Sequence, residues 1–185
     1  MDGDVAAEGD LTIRRLRNAP GDLASMTRWR AMPHVRAWWD PDEPAPTADE
    51  VAAKYGERTH PSSPTTPCII ELGGRPVGYI QCYRWASFAE EARAMDVPFD
   101  ERTFGLDVFI GEPDALGVGA RAIDLLCRHL EQDLGASWIA LTTEIGNARA
   151  QRAYEKAGFV KVREVLDLDT HDGERARCFL MERRR

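Results

Sequence analysis

TFGLDVFIGEPDALGVGARAIDLLCRHL occupies residues 103–130, and its reading decides the fold. From Thr103 to Gly111 the stretch is apolar and aromatic with a single acid, which is the pattern of a largely buried strand. Period two puts Phe104, Leu106, Val108 and Ile110 on one face and Gly105, Asp107 and Phe109 on the other. From Ala120 to Leu130 the apolar residues recur at helical spacing, so a long amphipathic helix follows. Gly117 and Gly119 lie at the junction. Glycines there let the backbone approach a ligand, and the first N–H groups of the helix can hold phosphate oxygens. They also suit a tight strand-to-helix turn that binds nothing, and both readings stand at this point. The dinucleotide fingerprint is excluded because its third glycine is missing, and a Walker loop because no Gly-Lys-Ser/Thr follows.

Asp107 is the second feature of this stretch. A carboxylate in so apolar a strand needs a partner or a use, because its desolvation is costly. It is a candidate catalytic residue. The alternative is an edge or solvent-facing strand position.

Outward from this stretch the chain alternates strands and helices. Residues 1–10 read as a disordered tail and 11–185 as one domain. LTIRRLR (11–17) alternates as a strand. Helices follow from Pro20 to Trp29 and around His34–Trp39. Thr47 and Glu50 form a capping box that opens a helix toward Arg58. CIIEL (68–72), Gly73-Gly74 and RPVGYIQCYR (75–84) read as strand, tight turn and strand. Residues 86–102 read as an acidic connection of weak pattern. WIALTT (138–143) is a strand, and FVKVREVLDL (159–168) with ARCFLME (176–182) closes the chain as a hairpin. The whole is an α/β layer architecture with a mixed sheet.

Composition narrows the function. The 185 residues carry a formal net charge of −7, with hydrophobic residues at 43% and charged residues at 30%. That disfavours a nucleic-acid binder, in which clustered Lys and Arg are expected. An acidic protein attracts cationic small molecules. The four cysteines show no C-x-x-C spacing, so neither metal binding nor a disulfide framework is expected. No apolar run approaches the roughly 20 residues of a bilayer span, and the start of the chain lacks a signal-peptide core. A cytoplasmic protein, without membrane or nucleic-acid partner, is the expectation; monomer and homodimer are both open.

NARAQRAYEKAGF (147–159) is the third feature. On a helix Asn147, Gln151 and Tyr154 share a face, and Gly158 is placed to end the helix in the left-handed conformation. Tyr154 reads either as a functional hydroxyl or as an amphipathic residue at a core edge.

Together these residues resemble the GCN5-related N-acetyltransferase superfamily, from about residue 11 to residue 182. The family's coenzyme loop, Gln/Arg-x-x-Gly-x-Gly/Ala, stands here as Asp114-x-x-Gly117-x-Gly119, with the first position changed. Asn147-x-Arg149-Ala150-x-Arg152-x-Tyr154-Glu155-Lys156-Ala157-Gly158-Phe159 is similar to its second signature. Within the superfamily the chain resembles the aminoglycoside 6′-N-acetyltransferases through HVRAWWD (34–40), GRPVGYIQCY (74–83), GLDV (105–108) and RAYEKAGF (152–159).

The resemblance implies a GNAT fold with splayed strands in a mixed sheet, and acetyl-CoA as coenzyme. It implies direct acetyl transfer to the 6′-amine of an aminoglycoside, with antibiotic resistance as the outcome. Asp107 is then the base and Tyr154 the acid near the coenzyme sulfur. Val108, Phe109 and Ile110 are the implied contacts of the thioester arm. Leu116, Gly117, Val118, Gly119 and Ala120 are those of the phosphates, joined by Asn147 and Tyr154. For the drug, the expected contacts are Trp38 and Trp39, at least one of them packed in the core, with Asp107, Glu90 and Glu91. Asp100, Glu144 and Asp172 complete the expected acidic set. Two acidic connections, residues 40–50 and 86–102, suit a polycation, although charge runs also serve simply as solvated surface. Two alternatives remain: an acetyltransferase for another amine (polyamine, siderophore precursor or peptide N-terminus), and a non-catalytic acyl-CoA-binding module.

Overall fold

The structure, a computed structural model, describes residues 3–41, 43–166 and 176–184. Its elements are β1 (Asp4–Glu8), β2 (Leu11–Arg15), α1 (Pro20–Arg30), α2 (Pro33–Arg36), α3 (Ala48–Arg58), β3 (Thr65–Leu72) and β4 (Arg75–Arg84). Then come α4 (Ala89–Ala94), β5 (Thr103–Ile110), α5 (Gly119–Gln132), β6 (Trp138–Glu144), α6 (Ala148–Lys156), β7 (Val160–Leu166) and β8 (Arg177–Arg184). The strands form an eight-stranded mixed sheet in the order β1-β2-β3-β4-β5-β6-β8-β7. The chain folds as two compact units, Met1–Gln81 with Val108–Leu126 and Cys82–Asp107 with Cys127–Arg185.

In the first unit, β2 pairs antiparallel with β3 from Leu11↔Leu72 to Arg15↔Cys68. The tail expected at residues 1–10 is instead a strand in part: Asp4–Glu8 forms β1, antiparallel to β2. DVAAE has no apolar alternation because its residues are mostly exposed, and main-chain pairing alone makes it a strand. The core is an aromatic cluster of Trp29, Tyr55, Tyr79 and Phe109 with Met26, Val51 and Ile69. Tyr79 stacks on Phe109 at 5.4 Å between centroids, and Trp39 meets Phe109 edge-on at 5.0 Å. The capping box opens α3 as the sequence predicts: the Glu50 N–H donates to Thr47 Oγ1, and the Thr47 N–H donates to Glu50 Oε2 at 2.7 Å. α1 is fixed by a buried ion pair, Arg14 giving Nη1 and Nη2 to the two Asp22 oxygens at 2.7 and 2.8 Å.

In the second unit, β6 pairs with β8 from Trp138↔Arg184 to Glu144↔Cys178, and β7 pairs with β8 with a register shift between Lys161 and Arg163. The parallel ladder of β5 with β6 consists of Thr103↔Trp138 and Phe104↔Ile139. The connection expected across residues 86–102 contains a 3-10 turn, Trp85–Phe88, and the helix α4. Six residues are too few to show a helical period; burial of Ala92 and Met95 beside Trp85, Ala140 and Leu180 holds the segment. Trp85 Nε1 donates to the Ala140 carbonyl at 3.1 Å. No helix among the described residues is long and apolar enough to cross a membrane.

Candidate active site

α6 shows how the motif of residues 147–159 builds a position for one tyrosine. Asn147 caps the helix, its Oδ1 accepting from the Ala150 N–H at 3.0 Å. Gln151 is buried and gives Nε2 to the carbonyls of Glu144 and Ile145, each at 2.9 Å, tying the helix to the end of β6. At the other end Gly158 has φ +86°. The Gly158 N–H donates to Glu155 O at 3.1 Å and the Phe159 N–H to Tyr154 O at 3.0 Å. These two bonds are a Schellman motif, and its characteristic apolar contact is the meeting of the Phe159 and Tyr154 rings. The asparagine, glutamine, glycine and phenylalanine of the motif therefore have local reasons, and together they fix the helix that carries Tyr154.

Tyr154 is buried, 6% exposed. Burial raises its hydroxyl above the ordinary tyrosine range, and the charges of Asp107 and then Cys127 push it further. The two residues singled out in the sequence as base and acid thus lie in the same unit, with the Asp107 charge among the causes that raise the Tyr154 hydroxyl. Asp107 is half-buried in β5, two residues after Gly105. Gly105 has a steric reason to be glycine, since a Cβ there would lie 2.4 Å from the Tyr83 ring. Tyr83 meets Trp85 at 5.3 Å and Phe88 at 5.0 Å, both edge-on. This aromatic group was not singled out by pattern; only Tyr83, the last residue of GRPVGYIQCY, fell within a quoted motif.

The remaining candidates of the second unit divide by environment. Glu90 and Glu91 are exposed in the first turn of α4. Asp100 is turned to a local use: Oδ1 accepts from the Arg102 N–H at 2.8 Å and from Thr103 Oγ1 at 3.0 Å, opening β5. Glu144 is half-buried at the end of β6. Asp172, and Asp42 of the first acidic connection, lie outside the described residues.

In the first unit, Val108 is half-buried while Phe109 and Ile110 are buried. Beyond them a turn, Pro113–Ala115, leads into α5. The first intrahelical bond runs from the Ala122 N–H to Val118 O, so the preceding N–H groups have no acceptor within the helix. A Cβ at Gly117 would meet nothing within 4 Å. Leu116 and Ala120 are half-buried, and Val118 is 7% exposed. Such a helix start suits the phosphates of coenzyme A. Asp114 pairs with Arg75, Nη2 to Oδ2 at 2.9 Å, so its negative charge at the loop is offset.

The Trp pair separates into two roles. Trp39 packs on the aromatic cluster, edge-on to Tyr79 and Phe109, whereas Trp38 is 43% exposed. Asp40, the next residue, holds a left-handed backbone at φ +57° and accepts from the buried Arg30, which also donates to the Tyr55 hydroxyl at 2.9 Å. Pattern also missed Gln81, buried in β4. Its Oε1 accepts from the Tyr79 hydroxyl at 2.6 Å and from Arg58 Nη1 at 2.8 Å. An amide in an apolar strand was the available signal.

A mixed sheet, a strand leading through a glycine turn into a helix start, and a buried tyrosine held by a capped helix are the setting in which the family match falls. The chain belongs to the GNAT family: residues 18–166 match the description "Acetyltransferase (GNAT) domain". It is an acyltransferase whose coenzyme is acetyl-CoA. Aminoglycoside N(6′)-acetyltransferase type 1 of Klebsiella pneumoniae is 30% identical over 150 residues, 80% of this chain and 74% of that protein. The protein of the same name from Serratia marcescens matches equally. Among solved structures, AAC(6′)-Ib with ribostamycin and coenzyme A superposes with a TM-score of 0.76 at 26% identity, covering 96% of this chain and 94% of that one. A spermidine N-acetyltransferase from Vibrio cholerae, solved with CoA and spermine, shares the fold at 18% identity with a TM-score of 0.72, covering 96% of each chain.

Proposed function

We propose that this protein acetylates the 6′-amine of aminoglycosides by direct transfer, and thereby confers resistance on the cell that makes it. The observation that carries the proposal is the buried Tyr154, held by the Asn147 cap, the Gln151 bonds and the Gly158 turn of α6, in the same unit as the half-buried Asp107 of β5. The 30% identity to aminoglycoside N(6′)-acetyltransferase type 1 supports the acceptor.

Bound acetyl-CoA supplies the acetyl group as a thioester. The acceptor arrives as an ammonium with a pKa of about 10.4, so almost none is nucleophilic at neutral pH. Asp107 binds that cation and takes its proton, directly or through one water, which is worth roughly 10²–10⁴ in rate. Backbone N–H groups among Val108, Phe109 and Ile110 hold the carbonyl oxygen as negative charge develops. The neutral nitrogen bonds to the acyl carbon as the carbon–sulfur bond breaks. Tyr154 gives its proton to the departing sulfur and regains one from the acylated nitrogen, through water, while Asp107 returns its proton to solvent. That hydroxyl is protonated at neutral pH, as an ordinary tyrosine is, and burial keeps it so at higher pH. The start of α5, with Leu116, Gly117, Val118, Gly119 and Ala120, holds the phosphates. Asn147 supports the coenzyme through the helix it caps.

Recognition of the drug rests on charge. The exposed carboxylates of Glu90 and Glu91 draw in a polycation, and Trp38 offers an open aromatic face for a sugar ring. Glu144, Asp100 and Asp172 extend the acidic set. The deciding assay is release of coenzyme A with a paired panel: kanamycin-type compounds with a 6′-amine, analogues with a 6′-hydroxyl, spermidine and a peptide. Turnover confined to the 6′-amines is the expected result. Turnover on spermidine or peptide alone sinks the antibiotic assignment, and binding of acetyl-CoA with no turnover at all sinks the enzymatic one for these amines. Expression in a susceptible bacterium tests the resistance claim, a higher tolerated dose of kanamycin being expected.

A further inference from the structure

The peptide group that leaves β5 is held at both of its polar atoms. His34, in α2, places Nε2 2.9 Å from the Ile110 carbonyl oxygen. A carbonyl only accepts, so Nε2 carries the hydrogen and donates it. Across the same peptide bond the Gly111 N–H donates to Val77 O at 2.9 Å, and the Glu112 N–H donates to that oxygen at 3.0 Å. Two successive N–H groups on one carbonyl make a bulge, which re-aims the strand end. Position 111 admits no side chain, because a Cβ would lie 2.0 Å from Trp29 Cγ. Trp29 is itself held, its Nε1 donating to Glu112 Oε1 at 2.8 Å. Main chain, core indole and one half-buried imidazole therefore grip the same turn. Only the imidazole does so with a side-chain donor that a substitution can remove without emptying the core.

We propose that His34 is a positioning residue for coenzyme binding, acting through the Ile110 carbonyl on the orientation of the peptide groups of Val108–Ile110. The inference rests on the placement of the thioester arm along those residues proposed above. The physical ground is angular. Without the His34 donor the Ile110–Gly111 peptide plane keeps one hydrogen bond and is free to rock about it. Hydrogen bonds weaken steeply as their angle opens, so donors on a rocking strand end hold a ligand less well. α2 gives His34 its place: Pro33 starts the turn, and buried Val35 anchors it beside Trp29.

The test is calorimetric titration of the full chain with coenzyme A, using unsubstituted protein, His34→Leu and His34→Gln. Leucine keeps bulk without a donor, while the glutamine amide can reproduce the Nε2–H. His34→Leu is expected to weaken coenzyme A binding roughly threefold to tenfold, the worth of one hydrogen bond, and His34→Gln to restore most of it. In unsubstituted protein the amide signals of Ile110 and Gly111 are expected to shift as coenzyme A is added. If those amides move and His34→Leu binds like the parent, the role of His34 is overturned while the coenzyme placement stands. If coenzyme A binds and the amides stay still, the placement fails and the inference falls with it. Equal weakening by Leu and Gln means shape matters rather than donation, which also overturns it. Nitrogen shifts of the imidazole give a reading that needs no variant: a hydrogen on Nε2 is expected, and the Nδ1–H tautomer contradicts the bond.

Discussion

The rings of Tyr154 and Phe159 meet edge to face, 5.7 Å between centroids and 61° between planes, across the left-handed turn at Gly158. The contact closes the last turn of α6 and sets the direction of the tyrosine at the same time. A helix terminus is thus built into the proposed acid.

Truncating Phe159 tests this coupling. The residue is 2% exposed, so Phe159→Ala is expected to cost about 3–5 kcal/mol in urea unfolding. Gly158→Ala forces a Cβ into φ +86° and is expected to cost about 1 kcal/mol. A Phe159→Ala protein that unfolds like the parent contradicts the packing described.

The two chemical residues are expected to differ in importance. Asp107→Asn removes the only proton acceptor assigned to the amine, and a loss of roughly 10²–10⁴ in kcat is expected. A thiol has a pKa of about 8.5 and leaves fairly well unaided, so Tyr154→Phe is expected to cost less, roughly tenfold. Steady-state kinetics with a 6′-amine substrate checks the order, and a Tyr154→Phe enzyme more damaged than Asp107→Asn reverses the assignment.

Tyr154 also links stability to pH. Burial, then the Asp107 charge, raises its folded pKa above the unfolded value of about 10. The stability this gives is complete below about pH 10 and is lost as pH rises from there through the folded pKa. Urea midpoints of the parent between pH 8 and pH 11 are expected to fall more steeply than those of Tyr154→Phe; parallel curves contradict the shift.

Asp22 works with the opposite sign. Burial acts to raise its carboxyl, but the Arg14 guanidinium and the Arg17 N–H outweigh it and hold the group below the usual carboxylate range. Its contribution is therefore present above about pH 4 and lost as pH falls through the folded pKa. Asp22→Asn is expected to cost about 1.5–3 kcal/mol at pH 7, since Arg14 loses its two bonds to a carboxylate but keeps Glu71 at 2.7 Å, and less at pH 3.

Arg75 answers for the altered first position of the coenzyme loop. Arg75→Ala leaves the Asp114 charge beside the phosphate site, and coenzyme A affinity is expected to fall roughly twofold to fivefold at low salt. Adding Asp114→Ala to that variant is expected to recover it. Equal affinities throughout mean that the ion pair lies too far from the phosphates to matter.

Residues 103–130 and 147–159 carried the fold in sequence because their signals are local. A strand's period, glycines at a helix start, an asparagine cap and a left-handed glycine each depend on neighbours a few positions away. The capping box of Thr47 and Glu50 and the β3–β4 turn were legible for the same reason. β1 and α4 were not, because one is made by main-chain pairing at a sheet edge and the other by burial of two residues.

Residue order and spacing were enough for the succession of most elements and for singling out Asp107 and Tyr154, and the resemblance of the motifs pointed to the family. What surrounds those residues came from the folded chain: Asp107 acts on Tyr154, Trp39 belongs to the core while Trp38 faces outward, and Arg75 answers Asp114. Folding also joined His34 to Ile110, 76 positions apart. Local backbone preference acts over a few residues, whereas burial, charge and hydrogen-bond direction depend on which distant segments the folded chain brings together.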